Sequence, residues 1–340
     1  MASKRFIGSL LASVLVCSSA AAFTVDWVDV GNAGNPGFSR CTVYSCPETV
    51  GRVLYDYRIS SSEVTNAQYA EFLNAVADED THGLYDPGMG DLAALGGIEQ
   101  SGSPGAFFYS PVIGRENMPV NHVSFFEAIR FANWLQNGQS SGPQDPSTTE
   151  DGAYTITEQG ILDNSIVRNP SALVFVPTQN EWIKAGFYEP VSSTYFVYST
   201  SSNTEPVCAA PSALPNQLNC GNAAGDLTDV RSYPASTSPH GTYDQAGNVF
   251  EWTDRPYGIG QFIQGGSFNQ TPEFASSAGG LPAGADAKAS WIGFRVAGVV
   301  PEPALGTLVA TGVLGLIALR ARSRPRRLRR RVGCGSPDGR

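Results

Sequence analysis

Apolar residues recur at helical spacing in three short segments, and each segment begins with a capping signal. In such a signal a Thr or Ser side chain caps the first turn, and a Glu or Gln three residues later reaches back to it. The three signals are Thr65 with Gln68, Ser124 with Glu127, and Thr178 with Glu181.

The spacing of the apolar residues after these signals predicts which side of each helix is buried. The first helix is expected to bury Tyr69, Phe72, Leu73 and Val76. The second, over 125 to about 136, is expected to bury Ile129, Ala132 and Leu135. The third is shorter and covers about 179–186.

Short apolar or alternating runs bounded by Gly, Pro and Asn predict strands. They cover 53–59, 106–110, 173–176, 262–268 and 291–297. Helices are few, much of the remaining chain is typical of coil, and no repeat or long linker divides it. An irregular, coil-rich α+β domain is therefore predicted.

The first 22 residues have the pattern of a secretion signal. Lys4 and Arg5 precede an apolar run over 6–17, and small residues then lead to Ala22. About a dozen apolar residues are too few for a permanent membrane span, and Ala20 with Ala22 forms the small-x-small pattern that signal peptidase cleaves. Cleavage after Ala22 and export are expected.

The C-terminal segment combines three features in order. Pro301, Glu302 and Pro303 are followed by an apolar run over 304–319 and then by a cluster of arginines up to position 331, with a tail over 332–340. The arginines favour the cytoplasmic side of a short membrane span. Segment 300–331 resembles the PEP-CTERM sorting signal, which implies transient anchoring in the inner membrane and processing by an exosortase-type protease. A simple C-terminal anchor is the alternative.

Between these end segments the chain is strongly acidic. Residues 23–299 contain 11 Lys and Arg and 29 Asp and Glu, a formal net charge of −18. This charge argues against nucleic acid and against anionic lipid as partners. It fits solubility in an extracellular matrix and also divalent cation binding, and composition does not choose between them.

Four cysteines of the acidic region form two close pairs. Cys41 and Cys46 lie in an N-terminal extension over 23–52, and Cys208 and Cys220 lie in the domain predicted over 53–299. In an oxidising compartment such pairs predict disulfides. Zinc is disfavoured because neither a second Cys-x-x-Cys nor a pair of histidines accompanies them.

Several short motifs follow one another in a fixed order over most of 53–297. They are Tyr57-Arg58-Ile59; Glu63-Val64-Thr65-Asn66 with Tyr69 and Phe72; Pro119-Val120 with Val123-Ser124; Val176-Pro177-Thr178 with Glu181-Trp182; Gly241-Thr242-Tyr243-Asp244 with Gly247-Asn248-Val249 and Glu251-Trp252; Gly265-Gly266-Ser267-Phe268; and Gly293-Phe294-Arg295. The series resembles the sulfatase-modifying factor family, the domain of the formylglycine-generating enzyme. The resemblance implies a fold of the C-type lectin-like type.

Three of these motifs also have a structural interpretation. Glu181 and Trp182 would cap and bury a helix start, and the Gly265-Gly266 pair would allow a tight turn. Arg295, in an apolar strand, would need an acidic or carbonyl partner because a buried charge must be paired.

The resemblance further implies a calcium-binding site. Carried over from the family, the ligands are the Asp244 side chain, the carbonyls of Gly247 and Val249, and the Glu251 carboxylate. Hard oxygen ligands of this mix suit calcium. A second family site would fall near Asn222 and Asp226, where the spacing is shorter than in the family.

The family's catalytic thiols are missing from this chain. Formylglycine formation needs two thiols just after the Gly-Gly-Ser block, and thiolates are the ligands that Cu(I) prefers. Those positions are Gln270 and Ala275 here, and no cysteine occurs between Cys220 and Cys334. We therefore expect neither copper nor oxidase activity. The iron chemistry of other members is disfavoured because the three histidines, His82, His122 and His240, are far apart in sequence.

These observations predict an exported protein of the cell surface or extracellular matrix with a binding or structural role. Segment 269–290, rich in Ala, Ser, Gly and Pro, would contact an exopolysaccharide or surface protein, or would simply cover the vacated site. The alternatives are an active sulfatase-modifying oxidase and an enzyme that uses carboxylates such as Asp244, Glu251 or Asp254. A deep pocket beneath Ser267 and Gln270, lined by carboxylates of raised pKa, would favour an enzyme.

Overall fold

The computed structural model describes residues 23–301. The predicted signal over 1–22, Glu302, Pro303, the predicted span over 304–319 and the arginine cluster lie outside the described residues. None of the helices within 23–301 has the length and apolar character that crossing a membrane requires.

Four α-helices, three short 3₁₀ helices (Pro87–Gly90, Leu92–Ala94 and Pro272–Ala275) and sixteen strands make up the regular structure of this range. The helices are α1 (Asn66–Val76), α2 (Phe125–Gln136), α3 (Glu158–Leu162) and α4 (Gln179–Phe187). The strands are β1 (Trp27–Val30), β2 (Phe38–Arg40), β3 (Glu48–Val50), β4 (Tyr57–Ser60), β5 (Ile98–Ser101), β6 (Phe108–Pro111), β7 (Val174–Phe175), β8 (Tyr188–Glu189), β9 (Thr194–Tyr195), β10 (Val207–Cys208), β11 (Gln217–Leu218), β12 (Phe250–Tyr257), β13 (Gly260–Gln264), β14 (Leu281–Gly284), β15 (Ile292–Gly293) and β16 (Ala297–Val299).

The three predicted helices are confirmed, together with their caps. In α1, α2 and α4 the cap side chain accepts the backbone N–H three residues on, and the Gln or Glu side chain accepts the cap's own N–H. Tyr69, Phe72, Leu73 and Val76 of α1 are buried as predicted. The burial of helix α2 differs from the prediction. Because this helix lies in the middle of the domain, Arg130 and Asn133 are buried as well, whereas Leu135 is only half-buried.

Two four-stranded sheets organise the domain. The first is antiparallel, with strand order β1-β4-β16-β7, and the second has the order β14-β13-β12-β15, in which β15 runs parallel to β12. Helix α2 packs on β7 and helix α4 packs on β12. The large core unites α1, α2 and residues of both sheets, including the fully buried Phe131, Trp252 and Phe294.

The observed strands are more numerous than the five predicted runs, and three differences matter for the architecture. The run predicted over 291–297 divides into β15 and β16, which belong to different sheets. Strand β12, the longest, was not predicted because its second half contains charged residues and Pro256. Strand β1 pairs with β4 along its whole length, so the predicted extension over 23–52 packs as part of the domain.

Both predicted disulfides are present. Cys41–Cys46 joins the two ends of the loop between β2 and β3. Cys208–Cys220 joins β10 to the residues just after β11. Each bridge therefore closes a local loop, as the close spacing of the cysteines predicts.

Candidate functional site

An ion pair lies at the centre of the domain, where the two sheets approach each other. Arg295 lies between β15 and β16, and its guanidinium binds the Glu251 carboxylate of β12 through two contacts, Nε–Oε2 at 2.5 Å and Nη2–Oε1 at 2.7 Å. Trp182 of α4 donates its indole N–H to Glu251 Oε2 at 2.7 Å. All three side chains are fully buried.

Backbone carbonyls complete the surroundings of Arg295. Its Nη1 donates to the Ser60 carbonyl at 3.1 Å and its Nη2 donates to the Tyr243 carbonyl at 2.9 Å. The expectation that this arginine needs acidic and carbonyl partners is thus confirmed. Four separate segments of the chain meet at one guanidinium, which is typical of a group that specifies how a fold is assembled.

Two further carboxyl groups lie beside this pair. Glu63 is buried, and its Oε1 accepts a long 3.4 Å hydrogen bond from Asn248, while Oε2 has no hydrogen-bond partner among residues 23–301. Burial, followed by the Asp244 carboxylate, raises the pKa of Glu63 well above its ordinary value, against the opposing effect of Arg295. Burial also raises the pKa of Asp244 to about 6.

The raised pKa of Glu63 predicts a specific dependence of stability on pH. Because the folded state holds the Glu63 proton more tightly than the unfolded chain, the contribution of this group is full below its ordinary pKa of 4.5. It is lost as pH rises through the folded pKa. We expect Glu63→Gln to gain stability relative to the wild type as pH rises from 4.5 to 8, measured by urea unfolding.

Glu273→Gln is the matched control, because Glu273 is exposed and should show the same pH dependence as the wild type. If the Glu63→Gln and wild-type stabilities ran parallel over this pH range, Glu63 would not be protonated in the folded state.

The residues predicted to bind calcium do not fit that cation. The Glu251 carboxylate is occupied by Arg295 and Trp182, and Asp244 Oδ2 accepts the backbone N–H of Arg231 at 2.5 Å. A carboxylate already neutralised by a guanidinium is a poor ligand for a second cation. Within the described part of the chain, no group of three or more His, Cys, Asp and Glu side chains is arranged to hold a metal ion.

The second predicted calcium position does not fit either. Asp226 forms a two-point ion pair with Arg115, at 2.6 and 3.1 Å, and also accepts the backbone N–H of Leu227. Asn222 donates its backbone N–H to the Phe268 carbonyl at 2.7 Å. Calcium binding by this protein stays a prediction, and the geometry of these side chains does not support it.

The two family thiol positions lie next to the second disulfide. Gln270 is half-buried, and its carbonyl accepts the N–H of Gly221, the residue after Cys220, at 2.7 Å. Ala275 is buried and packs in one small cluster with Cys220, Tyr198, Leu218 and Ala246. The four cysteines within 23–301 are all in disulfides, so these residues offer no thiolate and do not fit copper.

Protein atoms pack closely around the Gly-Gly-Ser turn. Both glycines have positive φ, 99° and 73°. A Cβ at Gly265 would lie 3.0 Å from the Gln245 carbonyl oxygen, and one at Gly266 would lie 3.1 Å from Phe274 Cβ. Ser267 is fully buried, and its hydroxyl donates to Asn269 at 2.9 Å. The two glycines therefore allow close packing at this turn. The carboxylates Glu63 and Asp244 belong to the ion-pair cluster around Arg295.

The three histidines have different neighbours. His82 faces Glu150, His122 contacts the Ala94 carbonyl, and His240 stacks on Tyr188. Burial lowers the pKa of His240 to about 4, so this side chain is neutral at physiological pH. The three histidines do not form a joint metal site.

A surface groove that the sequence did not predict borders segment 269–290. It has a volume of about 500 Å³ and lies between the Cys41–Cys46 loop and residues Glu273, Phe274 and 278–280. Tyr44 contributes an aromatic wall and packs edge-to-face against Phe262 at 5.7 Å. The groove is broad and open, and aromatic and small residues line most of it.

Comparisons with known proteins agree with the motifs. The model of the sulfatase-modifying factor enzyme 1-like domain matches residues 28–299. Hercynine oxygenase from Mycolicibacterium smegmatis is 26% identical over 210 residues, which cover 59% of this chain and 37% of that relative. The chain thus matches little more than a third of that relative's length.

Two solved structures share the fold. Treponema denticola variable protein 1 has a TM-score of 0.55 at 20% identity, covering 82% of this chain and 98% of its own. CarF has a TM-score of 0.52 at 20% identity, covering 82% and 99%. The predicted α+β fold, coil-rich and of the C-type lectin-like type, is confirmed by these likenesses.

Proposed function

Because the chain belongs to the sulfatase-modifying factor enzyme 1-like family, we propose that it is a non-catalytic member that binds polysaccharide outside the cell. The observation that carries this proposal is the pair Gln270 and Ala275 at the family's thiol positions. Ala275 is packed against a disulfide, and a carboxamide and a methyl group cannot hold Cu(I).

Export is part of the same proposal. The signal pattern over 1–22 and the PEP-CTERM-like pattern over 300–331 would place the domain at the cell surface or in the extracellular matrix. Two disulfides within 23–301 are consistent with an oxidising compartment. Signal peptidase and an exosortase-type protease would be the processing partners.

The groove beside segment 269–290 supports binding rather than catalysis. Its walls present Tyr44, Phe274 and small residues, and aromatic faces pack well on the apolar faces of sugar rings. Glu273 is the one acidic residue that lines it, without a neighbouring nucleophile. A surface protein is the other partner class that an aromatic groove could accept. A polysaccharide is favoured because Glu273 is the one charged residue that lines the groove and Tyr44 and Phe274 offer rings on which sugars can pack.

The runner-up function, a sulfatase-modifying oxidase, is tested directly with a peptide substrate. We expect the purified protein, supplied with copper and oxygen, to leave the cysteine of a Cys-x-Pro-x-Arg peptide unchanged, because the four cysteines within 23–301 are all in disulfides and none of them can bind the metal as a thiolate. Mass spectrometry of the peptide, with capture of aldehydes by a hydrazide, provides the measurement. Copper-dependent aldehyde formation would contradict the non-catalytic assignment.

A further inference from the structure

A second pocket borders strand β3, the strand that follows the Cys41–Cys46 loop. It has a volume of about 290 Å³ and is lined by β3, by the first turn of α4 and by residues 254–256 of β12. This volume is near the lower end of the range of about 300–1,000 Å³ that is typical of small-molecule sites. The polar residues that line it include Glu48, Gln179, Asp254 and Arg255.

Two N–H donors at this pocket have no hydrogen-bond partner in the described part of the chain. Gln179 is only 4% exposed, yet its Nε2 makes no hydrogen bond. Arg255 binds Glu48 through Nη2 at 2.5 Å, whereas its Nη1 is buried and unpaired. A buried donor without a partner costs about 1–3 kcal/mol. Both atoms are covered by the protein, so each side chain must turn toward the pocket before a ligand oxygen can accept from it and remove that cost.

The charges around the pocket cancel. The Glu48 carboxylate pairs with both Arg40, at 3.1 Å, and Arg255, which leaves one positive charge in excess. Asp254 supplies the compensating negative charge. A ligand with its own net charge would disturb this balance, so the pocket favours an uncharged, oxygen-rich molecule.

Asp254 supplies the acceptor that such a ligand needs. Its Oδ2 takes one long hydrogen bond, 3.3 Å, from the Tyr154 hydroxyl, which leaves most of the carboxylate free to accept. Burial raises the pKa of Asp254 to about 6, against the Arg168 guanidinium, which lowers it. The group is therefore ionised at pH 7.5. Apolar surface from Val50 and Pro256 adjoins these polar groups.

We infer that this pocket is a subsite for one neutral sugar ring, whose hydroxyl oxygens accept from Gln179 and Arg255 and whose hydroxyl hydrogens donate to Asp254. Sugar hydroxyls are both donors and acceptors, which matches a pocket that offers two donors and one carboxylate. This inference rests on the proposed polysaccharide binding and states which part of the domain would bind one sugar unit of the polymer.

The experiment compares five proteins, the wild type and the variants Gln179→Ala, Asp254→Asn, Tyr44→Ala and Gln159→Ala, at pH 7.5. Binding of neutral hexoses, N-acetylhexosamines and their short oligomers is measured by calorimetry, with glucuronate as the charged probe. We expect neutral sugars to bind the wild type, and Gln179→Ala and Asp254→Asn each to weaken the affinity about tenfold through the loss of a hydrogen bond.

Gln159→Ala is the matched control, since Gln159 is an exposed residue of α3 that lines neither the groove nor this pocket, and it should bind every sugar as the wild type does. Tyr44→Ala reports on the groove, because Tyr44 lines the groove and not this pocket. The unfolding midpoint of each variant is measured alongside, because Gln179 is buried and its truncation removes packed atoms as well as the amide.

The outcomes separate the inference from the proposed function. Binding that only Tyr44→Ala weakens would overturn the subsite and leave polysaccharide binding in place. Tighter binding of glucuronate than of the neutral hexoses would overturn the assignment of a neutral ring. Absence of binding to every sugar and oligomer would overturn the proposed polysaccharide binding, and the subsite with it.

Discussion

Replacing Glu251 with glutamine should lower the free energy of unfolding by about 3–5 kcal/mol, because removing one partner of a buried ion pair leaves the other charge uncompensated. Arg295 is fully buried and takes two of its four hydrogen-bonded contacts from Glu251. The amide keeps the shape of the side chain and removes its charge. Urea unfolding followed by tryptophan fluorescence measures the effect, since Trp182 contacts Glu251 directly.

Two further variants serve as controls for this prediction. Asp26→Asn removes the partner of Arg231 in an ion pair at the surface, where the side chains are 41% and 66% exposed, and should cost at most about 1 kcal/mol. Adding Arg295→Met to Glu251→Gln should restore part of the stability, because an apolar side chain needs no counter-charge. A loss of less than about 1 kcal/mol in Glu251→Gln alone would mean that Glu63 or Asp244 takes over the compensation.

Removing the Cys208–Cys220 disulfide should destabilise the protein by about 3 kcal/mol in the chain-entropy account of a loop of this length. The two cysteines are 12 residues apart. Cys220 is also buried against Tyr198, Leu218 and Ala275, so the bridge packs directly against one of the family's two thiol positions. The measurement is the urea unfolding of the Cys208→Ala, Cys220→Ala double variant.

The Cys41–Cys46 bridge is the natural comparison. It closes a shorter loop, with a separation of five residues, and its removal should cost about 2 kcal/mol by the same relation. That loop also lines the surface groove, so loss of this bridge should affect the groove more than the stability. Equal stability of the wild type and the Cys208→Ala, Cys220→Ala variant would show that packing alone holds this region.

Both predictions concern features around the Gly-Gly-Ser turn and the family's two thiol positions. The ion pair lies on one side of the Gly-Gly-Ser turn, because its partner Trp182 packs against Gly265. The disulfide adjoins Gln270 and Ala275, which follow the turn in sequence. Both features hold the region in which Gln270 and Ala275 stand at the family's thiol positions. The stability of this region resides in charge pairing and packing, and neither depends on the oxidase chemistry.

Local features could be predicted from the sequence alone. A capping box involves four consecutive residues, so the starts of α1, α2 and α4 follow from side chains that find their partners within one turn. The disulfides follow from cysteines a few residues apart, and the ordered motifs identified the family. The need of Arg295 for a partner was also predictable, since a charge in an apolar strand cannot remain unpaired.

Only the tertiary structure determines which side chains and strands pair with one another. Glu251 lies 44 residues from Arg295 in sequence, and nothing local shows that it binds a guanidinium rather than a cation. Strand β12 and the division of 291–297 between two sheets depend on which neighbours offer hydrogen bonds. The pocket formed by Glu48, Gln179 and Asp254 joins three distant segments, and such convergence is set by packing of the whole chain.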